Sequence, residues 1–176
     1  NSPYGESRVE QEKVCMQYVE DQDMHIIISR SFNHTGPGQP LPFVCPTITK
    51  QVAEIKQGKK KPVVMLGDPL VRRDFSDVRD MVKAYLVALE KGEKGEIYNL
   101  CSGKAHSLRE LIDLLSKEFG IDITVEKDPT WNRKNDIPEI RGDHSKFTKD
   151  TYWQPEISFE KTLKDMVIWW EKESGN

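Results

Sequence analysis

The chain has 176 residues, 36% of them hydrophobic and 31% charged, which is enough for one buried core. A net charge of -3 lacks the basic excess with which nucleic-acid binders neutralise phosphates, so no nucleic-acid partner is expected. No apolar run reaches the roughly 20 residues of a membrane span, and the N-terminus is too polar for a signal peptide. Cys15, Cys45 and Cys101 are too scattered for a zinc site or a disulfide framework. A soluble, cytoplasmic protein with free thiols, no membrane association and no metal is the expectation.

Residues 3–20 place Pro3 in a first turn and scatter Val9, Val14, Met16, Tyr18 and Val19 among charges, a helical pattern. Asp21-Gln22-Asp23 ends it, and Met24-His25-Ile26-Ile27-Ile28 reads as a strand buried on both faces of a parallel sheet. The loop around Asn33 then falls at that strand's carboxyl end, where open α/β sheets collect ligands. From Pro42 to Gln57, Val44, Ile48, Val52 and Ile55 recur at helical spacing until Gly58, and Lys59-Lys60-Lys61 solvates the following turn. Val63 to Leu66 predicts a short strand stopped by Gly67-Asp68-Pro69.

Ser76 or Asp77 can cap the clearest amphipathic segment, in which Val78, Met81, Val82, Tyr85, Leu86 and Leu89 recur at steps of three and four up to Gly92. Glu96 to Leu100 predicts a strand. Ser107-Leu108-Arg109-Glu110 is a capping box opening a helix of Leu111, Ile112, Leu114 and Leu115 that Gly120 closes. Ile123 to Val125 adds a short strand, residues 127–157 read as irregular, and Ser158 caps a last helix with Phe159, Leu163, Met166, Val167 and Trp170. The fold class is α/β, but the strands are too few for a complete doubly wound nucleotide domain.

Three segments carry a resemblance. Tyr4-Gly5-Glu6-Ser7-Arg8 opens the first helix, Arg30-Ser-Phe-Asn33-His34-Thr-Gly-Pro-Gly-Gln39 follows the first strand, and Arg72-Arg73-Asp74-Phe75-Ser76-Asp77-Val78 precedes the amphipathic helix. In this order they resemble the second half of the nucleotide-sugar branch of the extended short-chain dehydrogenase/reductase (NAD-dependent epimerase/dehydratase) family. There a Tyr-x-x-x-Lys pair begins a helix, the next strand ends in Arg-x-x-Asn, and a Gly-Pro turn leads into the sugar-nucleotide lobe. Arg8 stands where that family has lysine. The wording Asn-His-x-Gly-Pro-Gly-Gln is similar to the branch that reduces a GDP-4-keto-6-deoxyhexose, whereas dehydratases usually read Asn-His-Glu-Ser-Pro.

The resemblance implies the C-terminal part of an extended Rossmann-type dehydrogenase: the last catalytic helix and strands plus the small α/β substrate-binding lobe. Residues 1–35 would be the last portion of the Rossmann-type core. Residues 36–176 would form the sugar-nucleotide lobe, with an interleaved core strand and helix at about 74–104. A dinucleotide-binding half would precede it, since Gly-x-Gly-x-x-Gly occurs nowhere in this sequence.

A phenol titrates near pH 10 and needs a nearby cation to act at neutral pH. Arg8, four residues from Tyr4, supplies one on the same helix face. By resemblance Tyr4 and Arg8 are the catalytic pair and also meet the NADP or NAD cofactor, with His34 near the nicotinamide. By the same resemblance Asn33, Arg73, Arg133 and Asp136 would bind the nucleotide-diphosphate sugar: Arg73 would offer a forked, permanent charge to a diphosphate, and Arg133 and Asp136 would grip the nucleoside. Without the resemblance, Tyr4 and Arg8 are a solvent-facing pair, Asn33 a turn residue, His34 structural, Arg73 an ion-pair partner of Asp74 or Asp77, and 133–136 a solvated loop. The implied activity is NAD(P)-dependent reduction of a GDP-4-keto-6-deoxyhexose. A dehydratase or epimerase of the same family, a non-catalytic sugar-nucleotide module and a fragment without independent function are the alternatives. The implied partners are a GDP-linked sugar, the missing N-terminal half and, as in the family, a second copy in a homodimer.

Overall fold

The computed structural model describes residues 3–131 and 136–173. In chain order its elements are α1 (Pro3–Gln22), β1 (Ile28–Ser31), β2 (Asn33–Thr35), α2 (Val44–Lys56), β3 (Val63–Leu66), β4 (Arg72–Asp77), α3 (Val78–Lys91), β5 (Ile97–Leu100), β6 (Ala105–Ser107), α4 (Leu108–Phe119), β7 (Thr124–Lys127), β8 (Glu139–Ile140), α5 (Ser145–Thr151) and α6 (Phe159–Glu173). A short 3-10 turn, Pro129–Trp131, follows β7. Among the described residues these strands form three small sheets. β1 pairs with β5 and β3 with β7, both in parallel, while β4 is flanked by parallel β2 and β8 and antiparallel β6.

Among the described residues the buried side chains form two clusters. In the first, α2 contributes Ile48, Val52 and Ile55, α4 contributes Leu111, Ile112 and Leu115, and α6 contributes Leu163, Met166 and Val167, closed by Val64 and Leu66 of β3. Each helix shows the three- and four-residue spacing that lines one face, so burial follows the pattern. The ends are also written locally: Ser107 and Glu110 form the reciprocal capping box of α4, and Gly120 closes it at φ 65°, a conformation that suits glycine. Ser158 Oγ accepts from the Lys161 amide at 3.3 Å at the start of α6.

The second cluster packs Met81, Ala84 and Ala88 of α3 against Tyr98 and Leu100 of β5, with Phe147 of α5 and Trp153. Strand alternation sends Tyr98 and Leu100 to one side of the β1/β5 pair and Ile97 to the other. On that other side runs α1, whose residues Val9, Met16 and Glu20 line a groove against Ile97. None of its residues is buried, and it is tied down by an Arg30–Glu12 ion pair (Nε to Oε1 2.8 Å) and by Lys94 to Asp23 at its end.

Several expectations shift. The first strand forms at Ile28–Ser31, not Met24–Ile28, because parallel register with Ile97–Leu100 selects it and Asp23 turns the chain at φ 53°. The Asn33 segment is a short strand, not a loop, and Arg72–Asp77 is a strand that sequence pattern missed, as its charges hide the alternation. The stretch 127–157 is not wholly irregular: β8 and α5 lie within it. Of the apolar series on α3, Met81 is buried, while Val82, Leu86 and Leu89 are exposed.

Candidate active site

Register creates the site's first feature. β2 lies beside β4 with Asn33 opposite Phe75, His34 opposite Ser76 and Thr35 opposite Asp77, so two motif segments separated by some forty residues become adjacent strands. Asn33 Nδ2 donates to the Asp74 carbonyl at 3.4 Å. Beyond Thr35 the Gly36-Pro37-Gly38 turn presses on the start of α3: a Cβ at Gly36 would lie 2.7 Å from Val78 Cγ1, and Gly38 sits at φ 87°. Thr35 Oγ1 donates to Gln39 Oε1 at 2.6 Å and Gln39 Nε2 donates to the His34 carbonyl at 3.4 Å, which braces the turn from within. His34 itself is exposed, with Nδ1 3.1 Å from the Phe32 carbonyl.

Arg73, next along β4, is not free. Its Nη2 meets Asp136 Oδ1 at 2.6 Å and its Nη1 donates to the carbonyls of Ile137 at 2.8 Å and of Arg72 at 2.7 Å. The structure thus joins Arg73 to Asp136, one of the other proposed substrate-binding residues, and brings both to the strand that carries Asn33's neighbour. Arg133 lies outside the described residues. Arg72 points elsewhere: it donates to Glu110 Oε1 at 2.6 Å and to the Ala105 carbonyl at 2.6 Å, pinning the α4 cap to β4.

Tyr4 and Arg8 share one face of the first turns of α1, with the guanidinium carbon 5.1 Å from the phenol ring centroid. Arg8 Nη1 also donates to Gln11 Oε1 at 2.8 Å. Tyr4 is 68% exposed, so its hydroxyl can meet a ligand without displacing packed side chains.

Sequence reasoning missed Asp74. It is fully buried, and its carboxylate accepts from Ser102 N (2.9 Å), Ser102 Oγ (2.6 Å), Gly103 N (2.9 Å) and Gly142 N (3.1 Å). One side chain thus fastens the loop after β5 and the loop before α5 to the strand carrying Arg73. These loops line an open cleft of 390 Å³ bounded by Gly103, Arg141, Gly142, Asp143 and His144, at the carboxyl end of β5. The only hint in the sequence is an acid set between Arg73 and Phe75. Asp77 caps α3, accepting from the Arg79 amide at 2.8 Å, and also holds the Arg79 guanidinium and Thr162 Oγ1 (2.7 Å). Burial raises its pKa, but the hydrogen bonds from Arg79 and Thr162 outweigh it, so the carboxyl ends below its ordinary value.

Residues 1–166 match the family model described as GDP-mannose 4,6 dehydratase. The chain belongs to that family. It is 36% identical over 97% of its length to the GDP-6-deoxy-D-mannose reductase of Pseudomonas aeruginosa, spanning 56% of that protein. With the GDP-mannose 4,6-dehydratase of Vibrio cholerae serotype O1 it shares 27% identity over 94% of its length and spans 52% of that protein. Among solved structures, that of RMD from Pseudomonas aeruginosa complexed with NADPH superposes with a TM-score of 0.90 at 35% identity, covering 98% of this chain and 57% of that one. The UDP-glucose 4-epimerase of Thermotoga maritima with UDP-glucose gives 0.83 at 26% identity, covering 99% of this chain and 55% of that one. The fold is therefore the Rossmann-type α/β fold of the extended short-chain dehydrogenase/reductases, and the chain spans little more than half the length of the relatives it matches.

Proposed function

We propose that this chain supplies the substrate-binding and proton-donating part of an NAD(P)H-dependent reductase acting on a GDP-4-keto-6-deoxyhexose. The observation that carries the reading is the 36% identity to a GDP-6-deoxy-D-mannose reductase along nearly the whole chain. Consistent with it are the Asn33 and Arg73 segments, which lie side by side through β2 and β4. In this reading residues 1–35 and about 74–104 belong to the Rossmann-type core and the rest of 36–176 forms the sugar-nucleotide lobe.

Each residue then has a distinct task. Asn33, whose amide both donates and accepts, orients the sugar diphosphate beside the Gly36–Gly38 turn. Arg73 exchanges Asp136 for a phosphate oxygen, which its fork matches in geometry and charge. Arg133 and the released Asp136 hold the ribose and base. Tyr4 donates its phenolic proton to the keto oxygen as the carbonyl carbon is reduced, and Arg8 stabilises the phenolate left behind. Arg8 keeps the electrostatic task of a lysine but not its point-like geometry, so the ribose hydrogen bond is the part most altered. NAD(P)H supplies the hydride when bound. This chain's own share in holding it is Tyr4, Arg8 and His34, whose exposed side chains fit a dinucleotide held mainly by residues outside this sequence.

The test joins this chain to the upstream portion of the Pseudomonas reductase and follows NADPH absorbance with GDP-4-keto-6-deoxymannose. Turnover that Tyr4→Phe lowers by about 10²-fold or more, the range for a lost general acid, supports the reading. No oxidation with either Arg8 or Arg8→Lys removes it. Arg8 itself favours a second reading, a sugar-nucleotide-binding module without turnover. Calorimetry separates the two, since the module binds GDP-mannose and not NADPH.

A further inference from the structure

Arg73 is held in two different ways. Nη1 donates to two neutral carbonyls, of Ile137 at 2.8 Å and of Arg72 at 2.7 Å, and these aim the guanidinium without cancelling its charge. Nη2 meets Asp136 Oδ1 at 2.6 Å, the one ion pair of this guanidinium among the described residues. A guanidinium carries five N–H donors, so Nε–H and one N–H of Nη2 stay open beside that pair. The two side chains are 13% and 29% exposed, and neither charge is freely hydrated when the pair opens. On the acid, Oδ1 also accepts from the Ile137 amide at 3.1 Å, while Oδ2 has no hydrogen-bond partner among the described residues. Rotating the Asp136 side chain alone opens the pair and leaves both carbonyl bonds in place. Aim and neutralisation are thus separable: the carbonyls fix where Arg73 points, and Asp136 sets what can approach it.

We propose that Asp136 is a selectivity gate on Arg73, which admits a diphosphate only when the same ligand brings hydroxyls for the displaced carboxylate, as a ribonucleoside diphosphate does. The proposal rests on the reading above that the ligand's diphosphate lies against Arg73, and it adds what that site rejects. Inorganic pyrophosphate that takes Arg73 must expel the carboxylate and leaves it beside the ligand's own negative charge. It replaces one partner of the pair and strands the other, a partly shielded acid with its Arg73 donor gone. A ribonucleoside diphosphate meets both demands. Its phosphate oxygens take the arginine fork, and its ribose hydroxyls, which are O–H donors, turn to the carboxylate. Discrimination then comes from repulsion of the incomplete ligand as much as from attraction of the complete one.

Calorimetric titration of this chain with pyrophosphate, GDP, 2′-deoxy-GDP and UDP tests the gate. Asp136→Asn keeps the shape of the side chain and removes its charge. It should tighten pyrophosphate binding by about tenfold or more, the scale of removing one like-charge contact from a partly buried site. GDP should gain less, so that the ratio of the two affinities falls, and the penalty for the missing 2′-hydroxyl should shrink. Asp136→Ala should give the same gain for pyrophosphate, with urea midpoints showing that each variant is folded. Adding Arg73→Met to either variant should abolish the gain. Unchanged or weaker pyrophosphate binding in both variants overturns the gate, as does a gain that survives the loss of Arg73. If UDP shows the whole pattern and GDP does not bind, the gate stands and the GDP-sugar reading falls. If GDP binds the native chain and pyrophosphate does not respond to Asp136→Asn, the reading stands and the gate falls. Binding of neither nucleotide overturns both.

Discussion

Leu163 of α6 and Leu86 of α3 have the same side chain at the same kind of helical spacing, yet one is 1% and the other 57% exposed. Around Leu163 three helices and two strands meet, and each apolar stripe has another to cover it. Around Leu86, α3 packs Met81, Ala84 and Ala88 against the two-stranded β1/β5 sheet, Phe147 of α5 and Trp153, while Val82, Leu86 and Leu89 on its other face stay exposed among the described residues. The comparison teaches that an amphipathic pattern states a demand for burial and leaves open who meets it.

Four substitutions can break or sharpen that contrast. The largest effect belongs to Leu163→Ala, which opens a cavity in a closed core and should lower stability by about 2–5 kcal/mol, read from the urea midpoint. Asp74→Asn comes next at roughly 2 kcal/mol, because an amide nitrogen repels the amides of Gly103 and Gly142 that the carboxylate holds. In addition, it should loosen the 101–104 loop, visible as faster hydrogen exchange there and not in α4.

Asp77→Asn probes the joint between the two clusters, where the carboxylate holds Arg79 and Thr162. Its folded pKa is depressed, so the stability it contributes is fully present above the unfolded carboxylate value of about 3.9 and is lost as pH falls through the folded value. The variant should therefore be less stable than the wild type at pH 6, with the gap narrowing on acidification below about pH 4. Thermal melts at a series of pH values decide it, and a constant gap would contradict the depressed pKa. The smallest effect is that of Leu86→Ser in this chain alone, within about 0.5 kcal/mol, as for an exposed position. If that change destabilised the isolated chain by as much as Leu163→Ala, the two regions would not differ in the way described.

Much of the candidate site was legible as residue types. Tyr4 and Arg8 are fixed as neighbours by helical spacing alone, and their ring-to-guanidinium contact follows from it. Asn33 and Arg73 were readable only through family wording, because nothing local announces that two polar segments will pair as strands. Asp74 was illegible for the opposite reason: a carboxylate flanked by charge reads as solvated surface, and only the fold shows it buried beneath two loops.

The sequence by itself determined the helices with clean periodicity and marked ends, from the Ser107 capping box to the Gly120 stop, since those signals act within a turn or two of chain. It also determined the motif order that places the chain in its family. Tertiary structure alone decided which residues of the Met24–Ser31 run became strand, that β2 and β4 lie side by side, that Arg73 is held by Asp136, and which stripe of α3 is buried. Parallel pairing joins segments far apart in sequence, and its register is set by the partner strand and the packing over it. No local pattern carries that information.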